Sequence, residues 1–276
     1  MHGWKELATM PYADLTDVRL FYTDEGEGDT AVLLVHGWGC DSHDWSWQVG
    51  PLVDAGFRVI TPDNRGHGRS TVPREGFDST DFATDLAGLI SLLQVGRVIA
   101  VGHSQGGVIV STLAVEHPDL VAATVVVDSP YGLPDHEVYG RWQPFRNALG
   151  TDNGLEHAAG AFAAAEGKQM PDALRKWHQR RVLGTAPEVM RSTLEAFLRE
   201  GSVATRSGAD EYLRRRRCPV LAVHTHPAQA AWEATTFADP RSRSLHWQQV
   251  GHWLHQERAD DFNDLILRWL TELRTN

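Results

Sequence analysis

The sequence predicts an α/β protein built on one mostly parallel sheet with helices on both faces. Short apolar runs alternate with helical patterns along most of the chain, the rhythm of such a layered fold. Several runs are apolar at consecutive positions, as strands buried on both faces are. In addition, one run passes at once into Gly-His-Ser-Gln-Gly-Gly at 102–107, too rich in glycine to continue a strand or an ordinary helix.

In order, the strand-like runs are VRLFYT (18–23), AVLLVH (31–36), FRVITPD (57–63), RVIAVG (97–102), AATVVVD (122–128), PVLAVH (219–224) and SLHWQQV (244–250). The segment STDFATDLAGLISLLQV (79–95) opens with hydroxyl and acidic residues suited to a helix cap and first turn. From Asp260 to Arg274, residues Phe262, Leu265, Ile266, Trp269, Leu270 and Leu273 share one face at helical spacing. Between Tyr131 and Arg217 no strand pattern occurs. Helix-like pieces such as HAAGAFAAAEG and PEVMRSTLEAFLREG follow one another, broken by Gly and Pro. A helical insertion between two sheet strands is a candidate lid, and its aromatics (Tyr131, Tyr139, Trp142, Phe145, Phe162, Trp177, Phe197) would line what it covers. The expected division is a core of residues 1–130 and 218–276 with a cap of 131–217.

Composition removes several function classes. With 276 residues, 42% of them hydrophobic, the chain has material for a large core. A net charge of −10 argues against nucleic acid, whose phosphates call for a basic face. The one basic run, RRRR at 214–217, is expected as a solvated helix end beside the negative helix terminus. Cys40 and Cys218 lie far apart, which implies no disulfide framework and fits a reducing compartment. The start, MHGWKELATMPYADL, lacks the basic and apolar regions of a secretory signal, and no stretch approaches the ~20 apolar residues of a membrane span. The expectation is a cytoplasmic protein that binds a small molecule, not a membrane.

Gly102-His103-Ser104-Gln105-Gly106 has the G-x-S-x-G spacing between a strand and a helix pattern, the context in which that motif carries meaning. A sharp strand-to-helix turn holds its central residue in strained geometry and needs small neighbours, and the Ser104 hydroxyl then projects at a helix N-terminus. A serine needs a base. Gly251-His252 follows the last strand-like run directly and is the chosen base; His255 is the nearest rival. His36-Gly37-Trp38-Gly39 ends a buried run in a tight loop, and the amides of Trp38 and Gln105 are candidate oxyanion donors, with His36 structural. His224-x-His226 offers two imidazoles on one side, but no neighbouring carboxylate completes a metal set, so no metal is expected.

These segments together resemble the α/β-hydrolase fold superfamily: HGWG (36–39), DNRGHGRS (63–70), GHSQGG (102–107) and GH (251–252) occur in that family's order. The resemblance implies a helical cap inserted after the sixth strand and a catalytic triad that needs no cofactor. It does not fix the substrate, because the scaffold hosts esterases, lactonases, carbon–carbon hydrolases, lyases, haloperoxidases and cofactor-free dioxygenases. The chain departs from the common pattern at the acid. After the penultimate strand it reads VLAVHTHPAQAAW, with no carboxylate before Glu233. Asp128 ends the preceding apolar run, where an idle carboxylate is costly, and is assigned to orient His252; Glu233 and Asp239 are the alternatives. The implied function is cleavage of a carboxylic ester or lactone of a small to medium apolar or aromatic substrate through an acyl-enzyme. The alternative is a cofactor-free dioxygenase, or a C–C hydrolase or lyase, acting on an aromatic hydroxy-ketone. Dehalogenase and epoxide-hydrolase relatives use a carboxylate nucleophile where Ser104 stands, which disfavours their chemistry.

Overall fold

The computed structural model describes residues 11–275, so most of the segment read for a leader lies outside the described residues. Eight strands form one sheet: β1 (Tyr12–Asp14), β2 (Arg19–Glu25), β3 (Ala31–Val35), β4 (Arg58–Pro62), β5 (Val98–His103), β6 (Val121–Val127), β7 (Val220–His224) and β8 (Arg243–His246). Their spatial order is β1-β2-β4-β3-β5-β6-β7-β8. β2 pairs antiparallel with β1 and with β4, and every pair from β4 to β8 is parallel. Each strand-like run therefore falls on a strand. β1 adds one three-residue strand that local pattern did not mark, and the last run leaves the sheet after His246.

Helices cover both faces. In chain order they are α1 (Ser46–Asp54), α2 (Ser79–Leu93), α3 (Gln105–Glu116), α4 (Asp135–Glu137), α5 (Gln143–Leu149), α6 (Gly154–Ala165), α7 (Asp172–Gly184), α8 (Pro187–Phe197), α9 (Arg206–Arg214), α10 (Pro227–Ala234), α11 (Leu254–Glu257) and α12 (Ala259–Thr275). Alternation along β3 explains the layering. Leu33 and Val35 join Phe82 and Leu86 of α2, Ile109 and Leu113 of α3, and Leu213 of α9. Val32 and Leu34 face the other way, onto Leu52 of α1 and Phe262, Ile266 and Trp269 of α12. α2 begins in a capping box, with the Asp78 amide donating to the Asp81 carboxylate at 2.8 Å. No helix among the described residues is long and apolar enough to cross a membrane.

The interval between β6 and β7 is helical, but it splits in two. Val138, Leu149, Ala158, Val182, Met190 and Leu194 form a separate cluster packed against Trp38 of the HGWG loop. Tyr131 and α9 belong instead to the helical layer on the sheet. The basic run that ends α9 is corrected accordingly: Arg214, Arg215 and Arg217 are exposed, whereas Arg216 is fully buried and paired with Glu233 at 3.0 Å. A four-residue basic pattern says solvent; one partner from α10 outweighs it.

The turn from β5 into α3 fixes how close that helix lies to the sheet. A Cβ placed on Gly106 would sit 2.1 Å from the Val35 carbonyl oxygen of β3, and one on Gly102 2.1 Å from the Gly106 carbonyl oxygen. Gly106→Ala is expected to destabilise the fold by about 1–3 kcal/mol through overpacking against immovable backbone. The check is thermal unfolding, with a melting temperature lowered by roughly 3–10 °C. An unchanged midpoint would show that α3 can retreat from β3 without cost.

Candidate active site

The site is assembled at the carboxyl ends of neighbouring strands. β5 and β6 run in register with His103 beside Val127, so the next residues, Ser104 and Asp128, leave adjacent strands at the same level. The Ser104 amide donates to the Val127 carbonyl at 2.8 Å, and the Asp128 amide to the Val223 carbonyl at 2.8 Å. Both residues have positive φ, 54° for Ser104 and 45° for Asp128. Ser104 combines this with ψ −118°, outside the ordinary left-handed helical well. That strain is what the turn stores in order to raise the hydroxyl above the sheet at the start of α3.

His252 stands on the loop after β8. Its Nδ1 donates to Asp128 Oδ2 at 2.7 Å, which leaves Nε2 as the nitrogen able to accept a proton. Asp128 Oδ1 accepts from the Thr225 amide and hydroxyl, each at 2.9 Å. Burial would raise the Asp128 carboxyl, but the His252 hydrogen bond and charge, with the Thr225 amide, hold it far below the usual carboxylate range. Of the three carboxylates weighed from sequence, Asp128 is the one His252 meets. Glu233 is buried between His224, Arg216 and Tyr131, and Asp239 pairs with Arg241.

The HGWG loop lies directly against the serine. A Cβ on Gly37 would sit 3.2 Å from Ser104 Cβ, which brings the Trp38 backbone beside the Ser104 turn. His36 is structural as expected: its Nδ1 donates to the Gly37 carbonyl at 2.7 Å and its Nε2 accepts from the Asn64 amide at 2.9 Å. The Trp38 indole donates to the Met190 carbonyl at 3.1 Å, with Phe145 and Phe162 around its ring. An apolar set of Trp38, Phe145, Phe162 and Met190 thus packs at the HGWG loop, and Trp142 packs on Phe145. Two expected lining aromatics go elsewhere. Tyr131 is in the core, hydrogen-bonded to Glu233, and Trp177 is 37% exposed beside His43. The Tyr139 side chain lies outside the described residues.

Beneath His252 lies a polar cluster that sequence reasoning did not find. His103 donates from Nε2 to the His252 carbonyl at 3.0 Å, and its Nδ1 faces Asp44 Oδ2 at 3.7 Å. Asp44 Oδ1 is 2.6 Å from Arg181 of α7, and Gln256 donates to the same oxygen at 3.0 Å. His178 of α7 lies between Gln256 and Glu166, at 3.1 Å and 2.9 Å. The His252 amide itself donates to the Ala165 carbonyl, the last residue of α6, at 2.8 Å. His255, the rival base, is wholly buried with its ring 4.6 Å from those of Trp45 and His103. Asp44, His103 and His255 bring potential ligand atoms within 4.8 Å of one another. Arg181 already compensates that carboxylate, and a dication beside a guanidinium would be repelled, so we assign no ion there. His224 and His226 share no site: the first is buried against Glu233 and the second is exposed.

A family model described as alpha/beta hydrolase fold matches residues 30–259. A non-heme haloperoxidase of Rhodococcus erythropolis is 35% identical over 169 residues, 55% of this chain and 60% of that one. A bifunctional esterase/perhydrolase of Acinetobacter calcoaceticus is 39% identical over 123 residues, 44% of this chain and 45% of that one. The chain thus spans about half the length of these relatives. Among solved structures, a bromoperoxidase of Bacillus anthracis superposes with a TM-score of 0.80 at 27% identity, covering 92% of this chain and 96% of that one. An enol-lactonase of Burkholderia xenovorans gives a TM-score of 0.82 at 23% identity, over 95% of this chain and 100% of that one, a likeness of fold.

The buried imidazoles make a stability prediction. Burial lowers His67 to about 3 and His103 to about 4, and holds His255 well below its ordinary value. All three are neutral in the folded protein at pH 6, while the unfolded chain protonates them near pH 6.5. The unfolded state therefore binds more protons between pH 6.5 and about 4, and stability falls as pH falls through that window. Each group contributes up to about 1.4 kcal/mol per pH unit. Urea unfolding at pH 7, 6 and 5 checks this; a midpoint constant across the series contradicts neutral burial.

Proposed function

On the premise that the chain belongs to the α/β-hydrolase family, whose model spans residues 30–259, we propose that it is a serine hydrolase of carboxylic esters or lactones. The observation that carries this reading is the His252–Asp128 hydrogen bond of 2.7 Å, set beside a serine strained at a strand-to-helix turn. Ser104 attacks the acyl carbon while His252 Nε2 takes its proton; the same proton then goes to the leaving alkoxide. Asp128 fixes the tautomer and stabilises the imidazolium. The backbone amides of Trp38 and Gln105 donate to the oxyanion, and a water activated by His252 releases the acid and restores the serine. None of these steps requires a cofactor.

Trp38, Phe145, Phe162 and Met190 offer apolar and aromatic surface at the HGWG loop that adjoins Ser104, which suits a small to medium apolar or aromatic acyl group. We take the helices α4 to α8 as the cap that excludes bulk water during the reaction. The esterase and perhydrolase activities named for the Acinetobacter relative and the lactonase named for the Burkholderia neighbour support ester chemistry here.

Labelling with a fluorophosphonate probe is expected to modify Ser104, and Ser104→Ala to abolish both labelling and hydrolysis of short 4-nitrophenyl esters, with kcat lower by ~10³-fold or more. Retention of more than about a tenth of the activity would overturn the acyl-enzyme, and oxygen uptake with a 3-hydroxy-4-quinolone would turn belief toward the dioxygenase.

Asp128→Asn is expected to keep the fold and lose about 10⁴-fold in kcat, because the amide holds the wrong tautomer and carries no charge. His252→Ala should match the serine variant. A dead His255→Ala beside an active His252→Ala would transfer the base to His255.

A further inference from the structure

Behind Asp128 stands a second imidazole–carboxylate pair that the proposed reaction does not use. His224, the last residue of β7, is fully buried, and its Nε2 donates to Glu233 Oε2 of α10 at 2.6 Å. The other ring nitrogen, Nδ1, has no hydrogen-bond partner and faces Asp128 Oδ1 at 4.0 Å. Glu233 Oε1 also accepts from Arg216 at 3.0 Å and from the Tyr131 hydroxyl. Three donors converge on Glu233, so it is an ionised acceptor, and the proton between it and His224 belongs to the imidazole.

Charge decides the state of Nδ1. Among the groups around His224, Glu233 and Asp128 are anions and Arg216 is the compensating cation; Tyr131 stays a neutral donor, its hydroxyl raised by burial and by the Glu233 charge. Thr225 is uncharged, and His246, beside His224 in the β8 register, is partly exposed. With a neutral His224 the buried set carries a net negative charge, and a bare lone pair points at the Asp128 carboxylate. Both are unfavourable away from water. A proton on Nδ1 removes both at once. Burial alone would raise the two carboxyls. His224 is instead one of the groups that lower Glu233 to about 2 and hold Asp128 further down.

We infer that His224 is a positioning residue, an imidazolium held between Glu233 and Asp128, which weakens the pull of Asp128 on the His252 proton and keeps the base free at lower pH. The inference rests on the triad proposed above. It follows that the row Arg216, Glu233, His224, Asp128, His252 alternates in charge up to the neutral base. The acid is not an isolated anion but the end of a compensated chain.

Two measurements test this. In His224→Gln the positive charge beside Asp128 is gone. The acid limb of kcat/KM for 4-nitrophenyl acetate should then move up by about one pH unit, read from the position of the limb and not from its height. A merely structural role would lower activity and leave the limb in place, and that outcome overturns the inference. The second measurement uses the wild-type protein and no substrate: nitrogen-15 histidine spectra with backbone-linked assignment at pH 8. Two protonated ring nitrogens on His224 support the imidazolium, and a bare Nδ1 overturns it, even where His224→Gln does not fold. Because the spectra need no turnover, failure of the esterase reading, seen in Ser104→Ala, stays separate from failure of this one.

Discussion

The close approach of α3 to the sheet is the constraint on which the rest of the molecule depends. Gly106 lies so near Val35 that no side chain fits between them, and Gly102 in turn lies against Gly106. With the helix pressed down, the chain leaving β5 has one residue in which to reverse, and that residue takes φ 54° and ψ −118°. Such geometry costs about 1–3 kcal/mol and persists because buried strands on either side over-determine it. Ser104 is also tied down where it stands: its amide donates into β6 and its carbonyl accepts from the Ser129 hydroxyl at 2.9 Å. Its backbone is thereby fixed, and the hydroxyl is carried on a rigid turn.

The strand register carries that placement sideways. Ser104 and Asp128 leave β5 and β6 at the same level, Thr225 follows one residue further along past the end of β7, and β8 delivers the loop that holds His252. That arrangement would be of little use if the loop drifted. Its anchors come from three directions: Ala165 accepts the His252 amide, His103 donates to the His252 carbonyl, and Glu257 receives the Gly251 amide at 3.1 Å. Glu257 also receives the Gly167 amide at 2.9 Å, beside the end of α6. The end of α6 and the loop that holds the imidazole are hydrogen-bonded as one piece. Any movement of α6 away from the sheet breaks the bond to the His252 amide. For this reason the polar cluster of Asp44, Arg181, His178 and Glu166 is better understood as a brace between α7 and the core than as chemistry in its own right.

Features specified by neighbours in sequence were legible; those specified by distant partners were not. The seven apolar runs fell on strands because consecutive buried positions leave a local signature, and the glycines of 102–107 announced a turn because no regular element tolerates them. Asp128 could be found because a carboxylate closing four apolar residues needs a partner. The three-residue β1 has no such signature, since a strand of that length shows no period. Arg216 was misread because its exposed neighbours dominate the pattern, while its partners Glu233, Tyr131 and Ser111 are 17, 85 and 105 residues away. Trp177 and Tyr131 were misplaced for a related reason: an aromatic in a helical insertion says that something is covered, not what. The cluster under His252 draws on Asp44, His103, Gln256 and, from α7, His178 and Arg181, four separate stretches with no spacing rule between them.

The place of Asp128 explains the residues at the end of β7. With Asp128 on the end of β6, the end of β7 is free for another use, and Thr225 there donates twice to Asp128 Oδ1 while His252 takes Oδ2. Those donors do for the carboxylate what water would do at a more open site. They leave it ionised, and they point one oxygen at the imidazole. Glu233 has the opposite fate. It lies deeper, with Arg216 and Tyr131 on one oxygen and His224 on the other, so the imidazole it orients is that of His224 and not that of His252. Two carboxylates are thereby assigned different surroundings by their donors, one with an edge turned toward His252 and one buried against Arg216, Tyr131 and His224.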